Sequence, residues 1–518
     1  MGDLASARAR YGGRRVLVLG AGKSGVAVAR LLRRLDAEVA LSERAPGPHP
    51  WLPVLEASGV RVILGEPPAD DVFDEGKGPL AGRIELVVKN PGIPYRHPYV
   101  QAAFARGIPV VTEIEVAYHV ARGRMIGITG SNGKTTTATL VAHMLRESGM
   151  SVVLAGNIGE PLSAVVESLS PHTTTVLELS SFQLRGVDRF RADIAVLTNL
   201  FPHHLDYHET MDDYVESKWR LFARLAPEGR AILPAHGLGA VFAERLASTG
   251  ASWWRFGWVE DESEYGGNGG MHRRAGAAPV ADGVYAVPLR RGEGPAAREA
   301  AVVWVRGETR TVLFSSADLA VLGRHNVENA AAAAACALAA GAQVVAVRRA
   351  VSAFRGIEHR LEFVRDLAGV RFYNDAKSTN PEATASALAA FSAPVVLIAG
   401  GLERGESFAP LVPFWRTRVR RMIVYGETAM RLKREAEAAG LSAVDAVGGV
   451  EEAVSAAWRA ARPGDVVLFS PGCASWDMFP SFEVRGRRFK DAVWGLGGKE
   501  DGDGGEHATG SANFGTRR

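Results

Sequence analysis

The chain has 518 residues, enough for two to four domains at roughly 150 residues each. A hydrophobic share of 47%, a charged share of 23% and a net charge of +3 exclude a disordered or fibrous protein and give no reason to expect nucleic acid or a membrane surface as partner. Two cysteines far apart, Cys336 and Cys473, exclude a zinc ribbon or disulfide scaffold, and no strongly apolar run reaches the ~20 residues of a membrane span.

Short Val/Ile/Leu runs alternate with Ala/Arg/Leu helical stretches, the pattern of parallel α/β sheets. Three such blocks predict three domains. Residues 1–111 begin on Val16-Leu17-Val18-Leu19, 112–356 on Met125-Ile126-Gly127-Ile128, and 357–496 contain Val395-Val396-Leu397-Ile398 and Val466-Val467-Leu468-Phe469. Within the second block, about 260–299 is rich in Gly, Ala and charge and reads as a surface insertion. Asn329 to Val347 reads as one soluble helix, and 497–518 as a disordered tail. Met1–Gly13 has no apolar leader core, so a soluble, cytoplasmic protein is expected.

Gly20-Ala21-Gly22-Lys23-Ser24-Gly25 follows the first strand and opens a helix. Glycines there let backbone N–H groups and the positive helix end approach a phosphate. Glu43, ending the next strand, stands near the acidic position that binds ribose in dinucleotide folds. Taken alone, the loop fits a nicotinamide-cofactor domain, or only a tight turn.

A second loop, Gly130-Ser131-Asn132-Gly133-Lys134-Thr135-Thr136, also lies between strand and helix. Successive N–H groups would cradle phosphates, Lys134 would reach the outer phosphates, and Thr135 or Thr136 would ligate Mg²⁺. The general P-loop pattern wants glycine at 128, where this chain has isoleucine. A phosphate-binding ATPase also needs a carboxylate at a neighbouring strand end, and Glu178 supplies it. After the next strand comes Pro202-His203-His204-Leu205-Asp206-Tyr207-His208, where one histidine as Mg²⁺ ligand or substrate contact is expected rather than a zinc cage.

Only nine of the 60 basic residues are lysine. In so arginine-rich a chain, Lys218 on a helix that also carries Arg220 points to chemistry closed to arginine, whose guanidinium stays protonated while an ammonium can give up its proton.

Together these residues resemble the Mur ligase family, the ATP-dependent amide-forming enzymes of peptidoglycan precursor synthesis, and most of all its D-glutamate-adding members. That family's P-loop has the same shortened form. Further resemblance lies in Glu178-Leu179-Ser180-Ser181-Phe182-Gln183-Leu184, Asn90-Pro91-Gly92-Ile93, Gly156-Asn157-Ile158-Gly159, Gly323-Arg324-His325-Asn326, Glu358-His359-Arg360, Asn374-Asp375-Ala376-Lys377 and Ser470-Pro471-Gly472-Cys473-Ala474-Ser475.

The resemblance implies three domains: a Rossmann-like N-terminal one, a central P-loop ATPase with a parallel sheet, and a Rossmann-like C-terminal one. It implies ATP and two Mg²⁺ ions, with UDP-N-acetylmuramoyl-L-alanine and D-glutamate as substrates of a monomer. Gly130 to Thr136, with Asn329, Arg360 and Asp375, would hold ATP. Thr135, Glu178, His204 and a carbamylated Lys218 would hold metal, with Lys134, His204 and Lys218 catalytic. Gly22, Lys23, Ser24, Glu43, Arg44, Asn90, Asn157 and His204 would hold the UDP substrate, Glu43 and Arg44 near its uracil. Lys377, Ser475 and Phe482 would hold D-glutamate. The chain departs from the family at Pro202-His203-His204, where Glu-Asp-His is usual, and at Gly472, usually alanine. An oxidoreductase reading of the first loop leaves the P-loop, Glu178 and Lys218 without a purpose. A sister ligase adding another amino acid, or a folate polyglutamate synthase, does not account for Ser180 to Leu184 or the Lys377/Ser475 pair.

Overall fold

The computed structural model describes residues 3–45, 47, 50–201, 205–237, 239–259, 282–289, 299–319, 321, 323–405 and 407–497. The chain divides into two compact units, Met1–Phe354 and Arg355–Arg518.

The first unit carries two sheets. β1 (Arg15–Leu19), β2 (Glu38–Glu43), β3 (Arg61–Leu64), β4 (Leu86–Lys89) and β5 (Val110–Val111) pair in the order 3-2-1-4-5, all parallel. Both faces of β1 are covered, which is why its residues after Arg15 are apolar without alternation. β6 (Arg124–Thr129), β7 (Val152–Gly156), β8 (Thr174–Glu178), β9 (Ile194–Leu197), β10 (Arg230–Pro234), β11 (Ser252–Trp258), β12 (Gly283–Pro288), β13 (Ala300–Arg306) and β14 (Thr309–Ser315) form a nine-stranded sheet ordered 14-13-12-11-10-9-6-8-7.

β13 and β14 depart from the expected parallel pattern and run antiparallel to their neighbours. Only Gly307 and Glu308 separate them, and so short a connection can join only antiparallel strands. β12 also corrects the insertion expected at about 260–299, because Gly283–Pro288 belongs to the sheet, parallel to β11. The rest of that segment up to 298, apart from 282 and 289, lies outside the described residues, as do His204 and the tail from 498. The single helix expected over Asn329 to Val347 is two, Arg324–Ala339 and Val344–Ala353. Between them the chain turns at Gly341 with φ 97°, a conformation that favours glycine.

The second unit is built on β15 (Glu362–Leu367), β16 (Val370–Asn374), β17 (Val395–Gly400), β18 (Val419–Tyr425), β19 (Val444–Ala446) and β20 (Val466–Phe469), ordered 15-16-20-17-18-19. Only the two-residue hairpin β15–β16 is antiparallel. Separate apolar clusters cover the two faces, one around Trp415 and Leu432, the other around Phe469 and Phe489. No helix of the described residues is long and apolar enough to cross a membrane.

Candidate active site

The P-loop leaves the C-terminal end of β6 and caps the helix Lys134–Glu147. Gly133 has φ 78°, and a Cβ there would lie 2.2 Å from the side-chain oxygen of Asn329, so the loop closes against Asn329 only with glycine. The loop is laced to the end of β9. Asn132 N donates to Asn199 Oδ1 at 2.8 Å, Thr198 Oγ1 donates to Asn132 O at 2.6 Å, and Phe201 N donates to Ser131 Oγ at 2.9 Å. Lys134 Nζ reaches back to Gly130 O and Ser131 O, each at 2.9 Å. The hydroxyl-bearing residues Thr135 and Thr136 are buried in the first turn of the helix.

Glu178 ends β8 in register with Ile128 of β6, so the sheet itself brings the carboxylate beside the P-loop strand. It is 3% exposed. Its Oε1 accepts from Asn157 Nδ2 at 2.9 Å, while its Oε2 is buried with no hydrogen-bond partner among the described residues. A buried carboxylate oxygen left without a donor is costly unless a cation completes it.

Lys218, 1% exposed on the helix Met211–Ala223, donates from Nζ to Gly130 O at 2.9 Å and lies 4.5 Å from the Tyr214 ring centre. Burial first, and the Lys134 ammonium second, hold its amine well below the usual lysine range. The cause is tertiary: nothing local to the helix would deprotonate it.

The glycine loop after β1 is closed by Glu43. Its carboxylate accepts from Ala21 N at 2.7 Å and Ala45 N at 3.1 Å, so it serves first to hold the loop rather than to stand open toward a uracil. Asn90 packs on this loop, its amide nitrogen 2.5 Å from where a Cβ on Gly22 would stand. Lys23 and Arg44 are exposed, and Arg44 lies 3.7 Å from Glu66. Asn157 turns its amide to Glu178, which ties a residue expected at the UDP substrate to the carboxylate expected at the metal.

Two further polar groups are buried, and the first of them joins the first sheet to the segment after β9. Lys89 ends β4, is 1% exposed, and donates to Ile93 O and to Tyr207 OH, both at 2.9 Å. Burial lowers its ammonium to about 7. His208 lies between Ser181 Oγ at 2.8 Å and Asp213 Oδ2 at 2.6 Å, and burial lowers its imidazole despite Asp213. The scarcity of lysine was the available signal for Lys89. His208 carried none that distinguished it from its neighbours.

In the second unit, Lys377 is exposed and Ser475 is 3% exposed. Phe482 opens the helix Phe482–Trp494, its ring 6.1 Å from that of His359. Arg360 is exposed beside them in sequence. Asp375, expected at ATP, is 2% exposed, with Oδ1 accepting from Leu361 N at 3.1 Å and Oδ2 from Ser470 Oγ at 2.7 Å. Burial raises it to about 6. Its place in the structure is to fasten the 359–361 turn to the end of β20.

Three family models match the chain: the Mur ligase MurD-like N-terminal domain over residues 14–112, the Mur ligase middle domain over 128–337 and the Mur ligase glutamate ligase domain over 359–473. A UDP-N-acetylmuramoylalanine--D-glutamate ligase of Geobacillus kaustophilus is 41% identical over 485 residues, 93% of this chain and 98% of the relative. The chain belongs to the Mur ligase family. A Streptococcus pneumoniae ligase of the same name is also 41% identical, with the same coverage of both chains. Among solved structures, MurF of Acinetobacter baumannii aligns with a TM-score of 0.56 at 16% identity, over 95% of this chain and 99% of that one. The UDP-N-acetylmuramate-alanine ligase of Thermotoga maritima aligns at 0.52 and 17%, over 93% and 99%. These two likenesses show the Mur ligase fold.

Mur ligases use ATP and Mg²⁺, and the residues here fit a divalent cation in a specific way. Among the described residues no three His, Cys, Asp or Glu side chains converge on a metal position. What is present is the unpartnered Glu178 Oε2 at the end of the strand beside the P-loop strand, with Thr135 in the first turn of the P-loop helix and the buried Lys218 amine on Gly130 O. Such a set binds a cation that takes most of its oxygens from phosphates and water, as Mg²⁺ does.

Proposed function

We propose that this Mur ligase joins D-glutamate to UDP-N-acetylmuramoyl-L-alanine at the expense of ATP, in peptidoglycan precursor synthesis in the cytoplasm, and acts as a monomer. The names of the 41% identical relatives support the substrates. The chemistry is carried by one observation: Lys134, Lys218 and Glu178 meet at the P-loop, two amines on the same carbonyl and a carboxylate oxygen without a donor.

The L-alanine carboxylate attacks the γ-phosphorus of ATP, giving an acyl phosphate and ADP. The amino nitrogen of D-glutamate then attacks the acyl carbon, and the tetrahedral adduct loses phosphate and a proton to leave the amide. Charge gathers on phosphoryl oxygens, so positioning and electrostatics do most of the work. Residues Gly130 to Thr136 cradle the phosphates, and Lys134 leaves its two backbone acceptors for the outer phosphates. Asn329 packs behind the loop and Arg360 reaches the nucleotide. Two Mg²⁺ ions, held by Thr135 and Glu178 and by His204, would neutralise the charge shared between the phosphates and the reacting carboxylate.

Lys218 acts as a carbamate. Its neutral amine adds CO₂ and loses a proton, and an anion then stands where an ammonium would repel both Lys134 and metal. Gly22, Lys23, Ser24, Asn90 and Asn157 bind the UDP substrate, with Glu43 shaping the loop beneath it and Arg44 at its rim. Lys377 and Ser475 hold the D-glutamate side chain, beside Phe482.

An acceptor screen tests the proposal. Phosphate release from ATP should require both UDP-N-acetylmuramoyl-L-alanine and D-glutamate. Equal turnover with L-lysine or meso-diaminopimelate would overturn it.

A further inference from the structure

Arg485 is 0% exposed, yet its guanidinium has no ion-pair partner among the described residues. It donates instead to four backbone carbonyls: Cys473 O at 2.9 Å, Ala474 O and Ala376 O at 3.2 Å each, and Gly400 O at 3.5 Å. Its Nε is left without an acceptor among the described residues. The acid that feels this charge, Asp477, is held mainly by its own surroundings, its Oδ2 accepting from Glu427 N at 3.3 Å.

A buried charge whose direct partners are carbonyl dipoles, with Asp477 and the Tyr425 hydroxyl as the other polar groups that feel it, is costly to bury. Stability alone does not call for it, since a neutral donor satisfies carbonyls at lower cost. Two features suggest what the charge is for. Ala376 immediately precedes Lys377, and Ala474 immediately precedes Ser475. One planar group thus grips the backbone beside both residues assigned to the acceptor's carboxylate.

We propose that Arg485 is a positioning and specificity residue of the acceptor site: its fork sets the spacing of Lys377 and Ser475, and its buried positive charge reserves the site for an acceptor with an acidic side chain. The inference rests on D-glutamate being the acceptor. The acceptor screen on the unaltered enzyme tests that premise separately, because no turnover with D-glutamate there would remove the premise before any variant is made.

The measurement compares kcat/KM for D-glutamate with that for D-glutamine, the neutral side chain of the same shape, in the full-length enzyme. Arg485→Gln should raise the KM for D-glutamate about tenfold or more, leave the KM for ATP unchanged, and sharply reduce the preference for D-glutamate over D-glutamine. Arg485→Lys, which keeps the charge and loses the fork, should weaken both acceptors and retain the preference. A purely structural arginine would lower the melting temperature in both variants and leave the preference intact, which would overturn the proposal. If neither variant folds, Lys377→Ala decides, since Lys377 is exposed. With Arg485 still in place this variant should continue to prefer D-glutamate, and equal kcat/KM for the two acceptors would overturn the role of the charge.

Discussion

Lys134 and Lys218 each place an amine 2.9 Å from the same oxygen, Gly130 O. If both were protonated, two charges at most about 6 Å apart would repel by about 3 kcal/mol at an effective dielectric of about 20, before any desolvation of Lys218 is counted. Burial and repulsion therefore act in the same direction, both holding the Lys218 amine below the usual lysine range. A neutral amine is what addition to CO₂ requires, so the geometry that depresses its protonation supports the proposed carbamate. Lys218→Ala should lower kcat by about a hundredfold or more, the scale of a lost preorganised electrostatic group. Acetate or formate should restore part of it by lending an anion to the emptied space, whereas Lys218→Arg should respond to neither. Turnover of Lys218→Ala at the unaltered rate would remove the residue from the reaction.

At the scale of an element, the segment Glu113–Tyr118, between β5 and β6, fastens the second-sheet region through buried carboxylates. Glu115 accepts from Asp188 N, Arg189 N and Phe190 N at 2.9 to 3.1 Å, pinning the loop before β9. Glu113 accepts from Ser163 N at 3.0 Å, and burial raises its carboxyl to about 7. A carboxyl raised on folding contributes stability that is fully present below its ordinary value of 4.5 and is lost as pH rises through about 7. Across that window the loss approaches about 3 kcal/mol. Glu113→Gln, which cannot ionise, should therefore gain in melting temperature relative to the unaltered protein as pH is raised from about 5 toward about 8. Parallel melting curves over that range would show that Glu113 does not titrate in it.

For the whole molecule, the division at Phe354 and Arg355 separates a two-sheet unit from a one-sheet unit. The second unit owns six strands and two apolar clusters, one on each face of its sheet. A sheet covered on both sides by its own residues needs no other partner to bury its apolar surface. Residues 355–497, expressed alone, should melt in a single cooperative thermal transition with circular dichroism of an α/β protein. A fragment that shows no such transition would make this unit dependent on the first.

The glycine loops between strand and helix, the alternation of strand and helix and the three blocks were legible in the sequence, because they rest on local rules. Glycine is required where backbone meets phosphate or turns through positive φ, and apolar runs mark strands covered on both faces. The two-residue hairpins at Gly307-Glu308 and Ala368-Gly369 were equally local, and they escaped notice because parallel pairing is the usual partner of the alternation. What the sequence could not supply is what depends on residues distant along the chain. The depressed protonation of Lys218 arises from burial and from Lys134, 84 positions away. The engagement of Glu43 with the glycine loop, of Asp375 with Leu361 and Ser470, and of Arg485 with four carbonyls likewise exists only once strands have paired. Residue types and their spacing determined the kind of chemistry the chain can hold. The tertiary structure decided which ionisable groups are shifted by burial, which find partners and which buried carboxylate oxygen is left without a donor among the described residues, because those outcomes are set by exclusion of water and by neighbours that only folding assembles.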